Sequence, residues 1–284
     1  MLTPTALKAL LQEQGLRLTK RLGQHHLIDA RAIERIVDRC ALTREDTVVE
    51  IGPGLGALTE PLANRAGRVV AVEVDRRIAE LLRTRLALQP NVDVRCEDIL
   101  DFSWKSLGEV VVVGAIPYHI TSSIIVALSE ARQWIRRAIL IVQKEVADRL
   151  LAVPGTKAYG RLSVLGQYSW GITPLFRVVR SAFFPQPAVD STCVQLIRRA
   201  QRAVELKDEQ RFFGIVKAAF AQRRKTLINC LSARGTGAMS REDAEALVQA
   251  LGLPQAVRGE TLSLAQFAAL VEVLGARGRA QEKK

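Results

Sequence analysis

The chain has 284 residues, and its 41 Lys and Arg against 29 Asp and Glu give a formal net charge of +12. With 48% hydrophobic residues it can build a core, which excludes a wholly disordered chain, and no run approaches the ~18 apolar residues of a membrane-spanning helix. Cys40, Cys96, Cys193 and Cys230 lie far apart without CxxC spacing, which argues against a zinc or disulfide framework and for a reducing, cytoplasmic compartment, while the charge favours a polyanionic partner.

Residues 1–15 read as a polar-faced helix rather than a cleavable signal, because no basic start precedes an apolar stretch. Up to residue 150, short β-rich runs alternate with helix-period segments. Strands are predicted over 47–51, 69–73, 92–95, 110–114 and 138–142, and helices over 76–88 and 122–130. The alternation implies βαβ units in a mainly parallel, doubly wound α/β sheet. A run as apolar as Val110-Val111-Val112-Val113 fits a strand covered by helices on both faces. Two more strands, 172–179 and 192–197, flank a turn carrying Pro185 and Pro187. The last third is helical, over 209–221, 223–233, 241–251 and 264–274, with Asp208, Ser240 and Ser263 as N-caps. The polar stretch near 198–207 divides an α/β domain, 1–198, from a small helical domain, 199–284. The second holds 15 Lys and Arg against 9 Asp and Glu and is the more basic per residue.

The first chemically informative motif, Glu50-Ile51-Gly52-Pro53-Gly54-Leu55-Gly56, follows the first sheet strand. Glycines serve where the backbone turns tightly or approaches a ligand without a Cβ in the way. The spacing is not that of a dinucleotide loop, since position 57 is Ala. Glu73 closes the second strand, where a carboxylate can accept hydrogen bonds from two ribose hydroxyls. Asp98 follows the third strand and can meet an adenine amino group, whereas its neighbour Glu97 reads as a capping or solvated residue. Glycine loop, ribose acid and base-edge acid together suggest an adenosyl ligand at the C-terminal strand ends.

Gly114-Ala115-Ile116-Pro117-Tyr118 follows the fourth strand. It resembles the Asn-(Leu/Ile)-Pro-Tyr loop of adenine amino-group methyltransferases. Leu22-Gly23-Gln24-His25-His26-Leu27 resembles the LGQNFL segment that closes over S-adenosyl-L-methionine in such enzymes. Four further blocks agree, at 159–164, 183–191, 220–227 and 258–263, so the likeness runs in order through nearly the whole chain. The family is that of the small-subunit ribosomal RNA adenine dimethyltransferases, and the last two blocks favour it over the related erythromycin-resistance methylases of large-subunit rRNA.

The resemblance implies a Rossmann-like class I methyltransferase sheet and dimethylation of two adjacent adenines in a hairpin near the 3′ end of small-subunit rRNA, within an assembling subunit. It implies cofactor contacts from His25, Leu27, Gly52, Gly54, Gly56, Glu73, Asp98 and Ala115. In the transfer itself it implies that the Ile116 carbonyl faces the reacting amine, Pro117 stiffens the loop and Tyr118 stacks on a flipped base. It gives Arg223, Arg224 and Lys225 to rRNA phosphates, and the shorter basic runs Thr19-Lys20-Arg21 and Arg198-Arg199 read the same way from their charge. Position 115 is Ala where the family has Asn, so one acceptor for the amine is absent. Loss of one transition-state hydrogen bond costs on the order of 10²–10³ in rate, which implies slow transfer or an RNA-binding assembly factor without activity. His25-His26 stands in place of Asn-Phe. No Cys or carboxylate joins His25, His26 and His119 in a familiar ligand set, so no metal site is expected. Nothing in the sequence requires more than a monomer.

Overall fold

The computed structural model describes residues 4–15, 25–233 and 239–281. Leu22, Gly23, Gln24 and the basic run at 19–21 lie outside the described residues. The chain forms two compact units, Met1–Ala147 with Gly171–Arg198, and Asp148–Trp170 with Arg199–Lys284.

The first unit is built on a seven-stranded sheet. After the short helix α1 (Pro4–Glu13) and the two-residue strand β1 (His26–Leu27) comes α2 (Ala30–Cys40). The sheet then begins with β2 (Thr47–Ile51), β3 (Arg68–Val72), β4 (Val92–Arg95), β5 (Val110–Ala115) and β6 (Ile135–Gln143). It is completed by β7 (Trp170–Val178) and β9 (Ser191–Arg198), with the two-residue β8 (Phe183–Phe184) between them in sequence, while helices α3 (Thr59–Ala63), α5 (Thr121–Glu130) and α6 (Lys144–Leu151) follow β2, β5 and β6 along the chain. The spatial order is β4-β3-β2-β5-β6-β9-β7. Strands β2 to β6 pair in parallel, and β9 runs antiparallel to β6. From β2 the chain builds outward through β3 and β4, then returns to lay β5 on the other side of β2. That reversal opens a crevice at the carboxyl ends of β2 and β5, the place where doubly wound sheets bind ligands.

Burial follows the sequence pattern. Val48, Val49, Val69, Val70, Val111, Val112 and Val113 are fully or almost fully buried, because helices cover both faces. On one face α2 contributes Ile33, Ile36 and Val37 to a core shared with Val48, Val69, Val111 and Ile139. Asp29 starts α2 by accepting a 2.7 Å bond from Ala32 N. On the same face, nearer the β4 edge, α4 (Arg76–Arg85) packs Ala79 and Leu82 with Ala71 and Val94.

The second unit is helical. α7 (Arg161–Ser169), α8 (Glu209–Ala219), α9 (Leu227–Leu231), α10 (Arg241–Ala250) and α11 (Leu264–Gln281) surround a core containing Phe212, Leu227, Leu247, Phe267 and Leu270. Asp208, Ser240 and Ser263 each accept a backbone N–H of the helix that follows. Residues Asp148–Trp170 belong to this unit, whereas the sequence boundary at 198 assigns them to the α/β domain. The reason is packing: Tyr159, Val164 and Tyr168 are buried in the helical core, and Tyr159 Oη donates to the Leu262 carbonyl at 2.9 Å. The helix predicted over 223–233 is a single turn and a half, Leu227–Leu231, started by Thr226, whose hydroxyl accepts from Asn229 N. The basic residues before it form a turn rather than a helix face.

Candidate functional site

The glycine loop leaves β2 at the crevice. Gly52, Gly54 and Gly56 have φ of +64°, +54° and +86°. At Gly54 the demand is double: a Cβ there would lie 2.7 Å from Nδ1 of His26 as well as being strained by the backbone. The His26 imidazole packs on this glycine. Burial, with a smaller push from His25, lowers its pKa to about 4, so the ring is neutral near pH 7.

Glu73 follows the last residue of β3. Its Oε2 accepts from Gly54 N and its Oε1 from Asp75 N, both at 3.1 Å. Burial raises its pKa and these backbone bonds pull it back. Asp75 caps α4 by accepting from Arg77 N and Ile78 N. Asp98 is exposed after β4 and turns the chain there by accepting from Leu100 N at 2.9 Å.

One cavity gathers His25, Gly52, Gly54, Glu73, Asp98, Ala115 and Pro117, which come from widely separated sequence segments. Glu97, read from sequence as a cap, lines it too. Four expected site residues stand back from this cavity. Gly56 and Leu27 line a neighbouring one beside α1, and Ile116 is buried with its N–H donated to the Ile141 carbonyl. Tyr118 is half-buried behind His25. The two rings stack with centroids 5.4 Å apart at 29°, and Tyr118 Oη shares a 3.1 Å hydrogen bond with Ser191 Oγ.

The segments at 25–27 and 183–185 meet through the β1–β8 ladder, with His26 opposite Phe184 and Leu27 opposite Phe183. His25 Nδ1 donates to the Pro185 carbonyl at 2.6 Å, which places a proton on Nδ1 because a carbonyl only accepts.

Two residues of consequence carry no sequence assignment. Thr121 is buried and its hydroxyl is within bonding distance of the Pro117 and Tyr118 carbonyls, at 3.1 and 3.3 Å, which fixes the loop after β5. Glu50 is a carboxylate inside a buried strand, and its Oε2 has no hydrogen-bond partner. Burial is the main force raising its pKa to about 8. The signal was visible, an acid in the run Thr47-Val48-Val49-Glu50-Ile51, because an acid is costly to bury without a purpose.

In the helical unit the basic residues differ in their engagement. Arg223 donates from Nε to Glu260 at 2.9 Å and also bonds the Lys157 carbonyl. Arg224 and Lys225 are exposed.

Comparison with known proteins accords with this geometry. A family model described as ribosomal RNA adenine dimethylase matches residues 15–274. The ribosomal RNA small subunit methyltransferase A of Anoxybacillus flavithermus is 41% identical over 281 residues, covering 96% of this chain and 95% of the relative. The protein of the same name in Bacillus mycoides is 42% identical over 281 residues, covering 96% of each. A dimethyladenosine transferase from Plasmodium falciparum shares the fold, with a TM-score of 0.76 over 89% of this chain and 98% of its own, at 24% identity. The 23S rRNA methyltransferase ErmE superposes with a TM-score of 0.64 at 31% identity, over 88% of this chain and 99% of its own. The chain belongs to the ribosomal RNA adenine dimethylase family.

Proposed function

We propose that this protein dimethylates the exocyclic amino groups of two adjacent adenines in a hairpin near the 3′ end of small-subunit rRNA, with S-adenosyl-L-methionine as donor. The observation that carries the reading is the cavity in which the ends of four neighbouring strands bring together Gly52 and Gly54, Glu73, Asp98, Ala115 and Pro117. The small-subunit enzymes, at 41–42% identity over 96% of the chain, favour that rRNA over the large-subunit one.

The residues fit an adenosyl donor. Gly54 lets the backbone approach without a side chain, Glu73 keeps its carboxylate at the cavity wall, and exposed Asp98 stands two strands away from β2, where a base edge falls beyond a ribose held by Glu73. The bound donor supplies an electrophilic methyl group on sulfur. The chain supplies position. An adenine amine is a weak nucleophile because its lone pair is conjugated with the ring, so alignment and acceptors that favour a tetrahedral nitrogen provide the rate. The Ile116 carbonyl and Pro117 border the reacting amine, and Thr121 holds their loop. Tyr118 stacks on the base once it leaves the RNA stack. Ala115 offers no side-chain acceptor, so transfer is slow compared with an Asn-bearing loop.

Arg224 and Lys225 dock rRNA phosphates, and Arg223 shapes the turn that presents them. The protein works in the cytoplasm as a monomer on an assembling small subunit. The test is methyl transfer to undermethylated small and large subunits, with dimethyladenine mapped on both rRNAs. Product on small-subunit adenines supports the reading, and product on the large subunit alone refutes it.

A further inference from the structure

Tyr118 presents an aromatic ring at the end of the β5 loop, yet it is not among the residues that line the cavity bordered by Ala115 and Pro117. His25 is. The imidazole lies against the phenol with centroids 5.4 Å apart and planes 29° from parallel, and so stands between the tyrosine and the cavity. The two partners are held unequally. Tyr118 sits in a loop fixed by Thr121, and its Oη is bonded to Ser191, which is fully buried. His25 is half-buried, and its side chain is held by the hydrogen bond from Nδ1 to the Pro185 carbonyl. The tyrosine is the fixed platform and the imidazole the exchangeable layer.

We propose that His25 occupies, in the free protein, the place on Tyr118 that the target adenine takes, so that a base enters only by displacing it. The proposal rests on Tyr118 being the base-stacking residue, as put forward above. Displacement costs one aromatic stack and one hydrogen bond. A purine offers a two-ring surface in return for one imidazole ring, whereas a pyrimidine returns little more than it removes. His25 therefore acts as a placeholder: it lowers the apparent affinity for every base by the same factor, and a purine, with the larger stacking surface, still binds where a pyrimidine falls short. The penalty is that of any binding-competent state that must first be uncovered.

The experiment uses the full-length protein saturated with S-adenosylhomocysteine. The probe is an RNA hairpin with 2-aminopurine in place of one of its two adjacent loop adenines. Affinity and quenching of the probe by stacking are read by fluorescence. A second hairpin with cytosine at that position competes. His25→Ala and His25→Asn both remove the aromatic layer, and two variants guard against a local folding defect in one. Both are expected to bind the 2-aminopurine hairpin about 3- to 10-fold more tightly than the unaltered protein, from the ordinary worth of an aromatic pair. Binding of the cytosine hairpin is expected to tighten by the same factor, because the same layer is displaced in either case. Tighter binding in at least one variant supports the proposal, and equal or weaker binding in both overturns it, because a supporting residue weakens binding when removed and a bystander changes nothing. Tyr118→Ala separates this from the underlying reading. If that variant quenches and binds like the unaltered protein, Tyr118 is not the platform. If it loses quenching while the His25 variants gain no affinity, the platform stands and the displacement model alone fails.

Discussion

The backbone N–H of Gly54 donates to Glu73 Oε2 at 3.1 Å, fastening the loop after β2 to the residue that follows β3. The carboxylate does two things at once. It holds the glycine loop in its positive-φ shape, and it remains at the cavity wall with oxygen lone pairs available to a ligand.

Glu73→Gln keeps the volume and removes the charge. Hydrogen bonds to charged groups are worth about 1.5–3 kcal/mol, so the affinity for S-adenosylhomocysteine is expected to fall roughly 10- to 100-fold. Isothermal titration calorimetry measures it. Unchanged affinity would show that the acid only braces the loop.

Glu50 yields a prediction about pH. Its carboxyl rises from an ordinary 4.5 to about 8 in the folded chain, mainly through burial. Between those values the native state keeps a proton that the unfolded chain has released. Stability therefore falls as pH rises through that window, because the folded state binds more protons there. Glu50→Gln is neutral at every pH and escapes the loss. Its Tm is expected to exceed that of the unaltered protein by several degrees at pH 8.5 and to converge with it near pH 5. Calorimetric scans across that range check this, and parallel curves would refute it.

Much of the sheet is legible from local pattern. The strands 47–51 and 92–95 have the predicted limits, the first as a β-branched run and the second as an alternation of valine with charged residues. What was illegible depends on distant partners. The β1–β8 ladder joins two-residue segments far apart in the chain, and two residues carry no periodicity. The membership of Asp148–Trp170 in the helical unit has no compositional mark either, since Tyr159 and Tyr168 reveal their core only once the helices around them are assembled. At the site, glycines and acids announce themselves by type and position. The stacking of His25 on Tyr118 does not, because it follows from the ladder.

The basic turn before α9 separates structure from docking. Arg223 is tied to Glu260 and to the Lys157 carbonyl, so Arg223→Ala is expected to lower Tm. Arg224→Ala with Lys225→Ala is expected to leave Tm unchanged, since both side chains are exposed. The double variant should instead bind rRNA more weakly, with a salt dependence shallower by about one for each phosphate that is no longer neutralised. Binding measured over a series of KCl concentrations reads both effects. An unchanged slope would place the rRNA-binding surface elsewhere.

Ala115→Asn tests the chemistry itself. Ala115 is the last residue of β5, half-buried, and lines the cavity, so a longer side chain has the cavity in front of it. An Asn there adds a carbonyl oxygen able to accept a hydrogen bond from the adenine amine as that nitrogen becomes tetrahedral. The gain is realised in the transition state and not in the bound complex, so kcat should rise while KM for the subunit stays nearly constant. One well-placed transition-state hydrogen bond is worth on the order of 10²–10³ in rate, and that is the expected increase. S-adenosylhomocysteine affinity provides the control and should change little, because Glu73 and Asp98 are untouched. Single-turnover methyl transfer to undermethylated small subunits measures the step. A gain in kcat below tenfold would mean that the loop already has the acceptor it needs, in the Ile116 carbonyl or a group brought by the RNA.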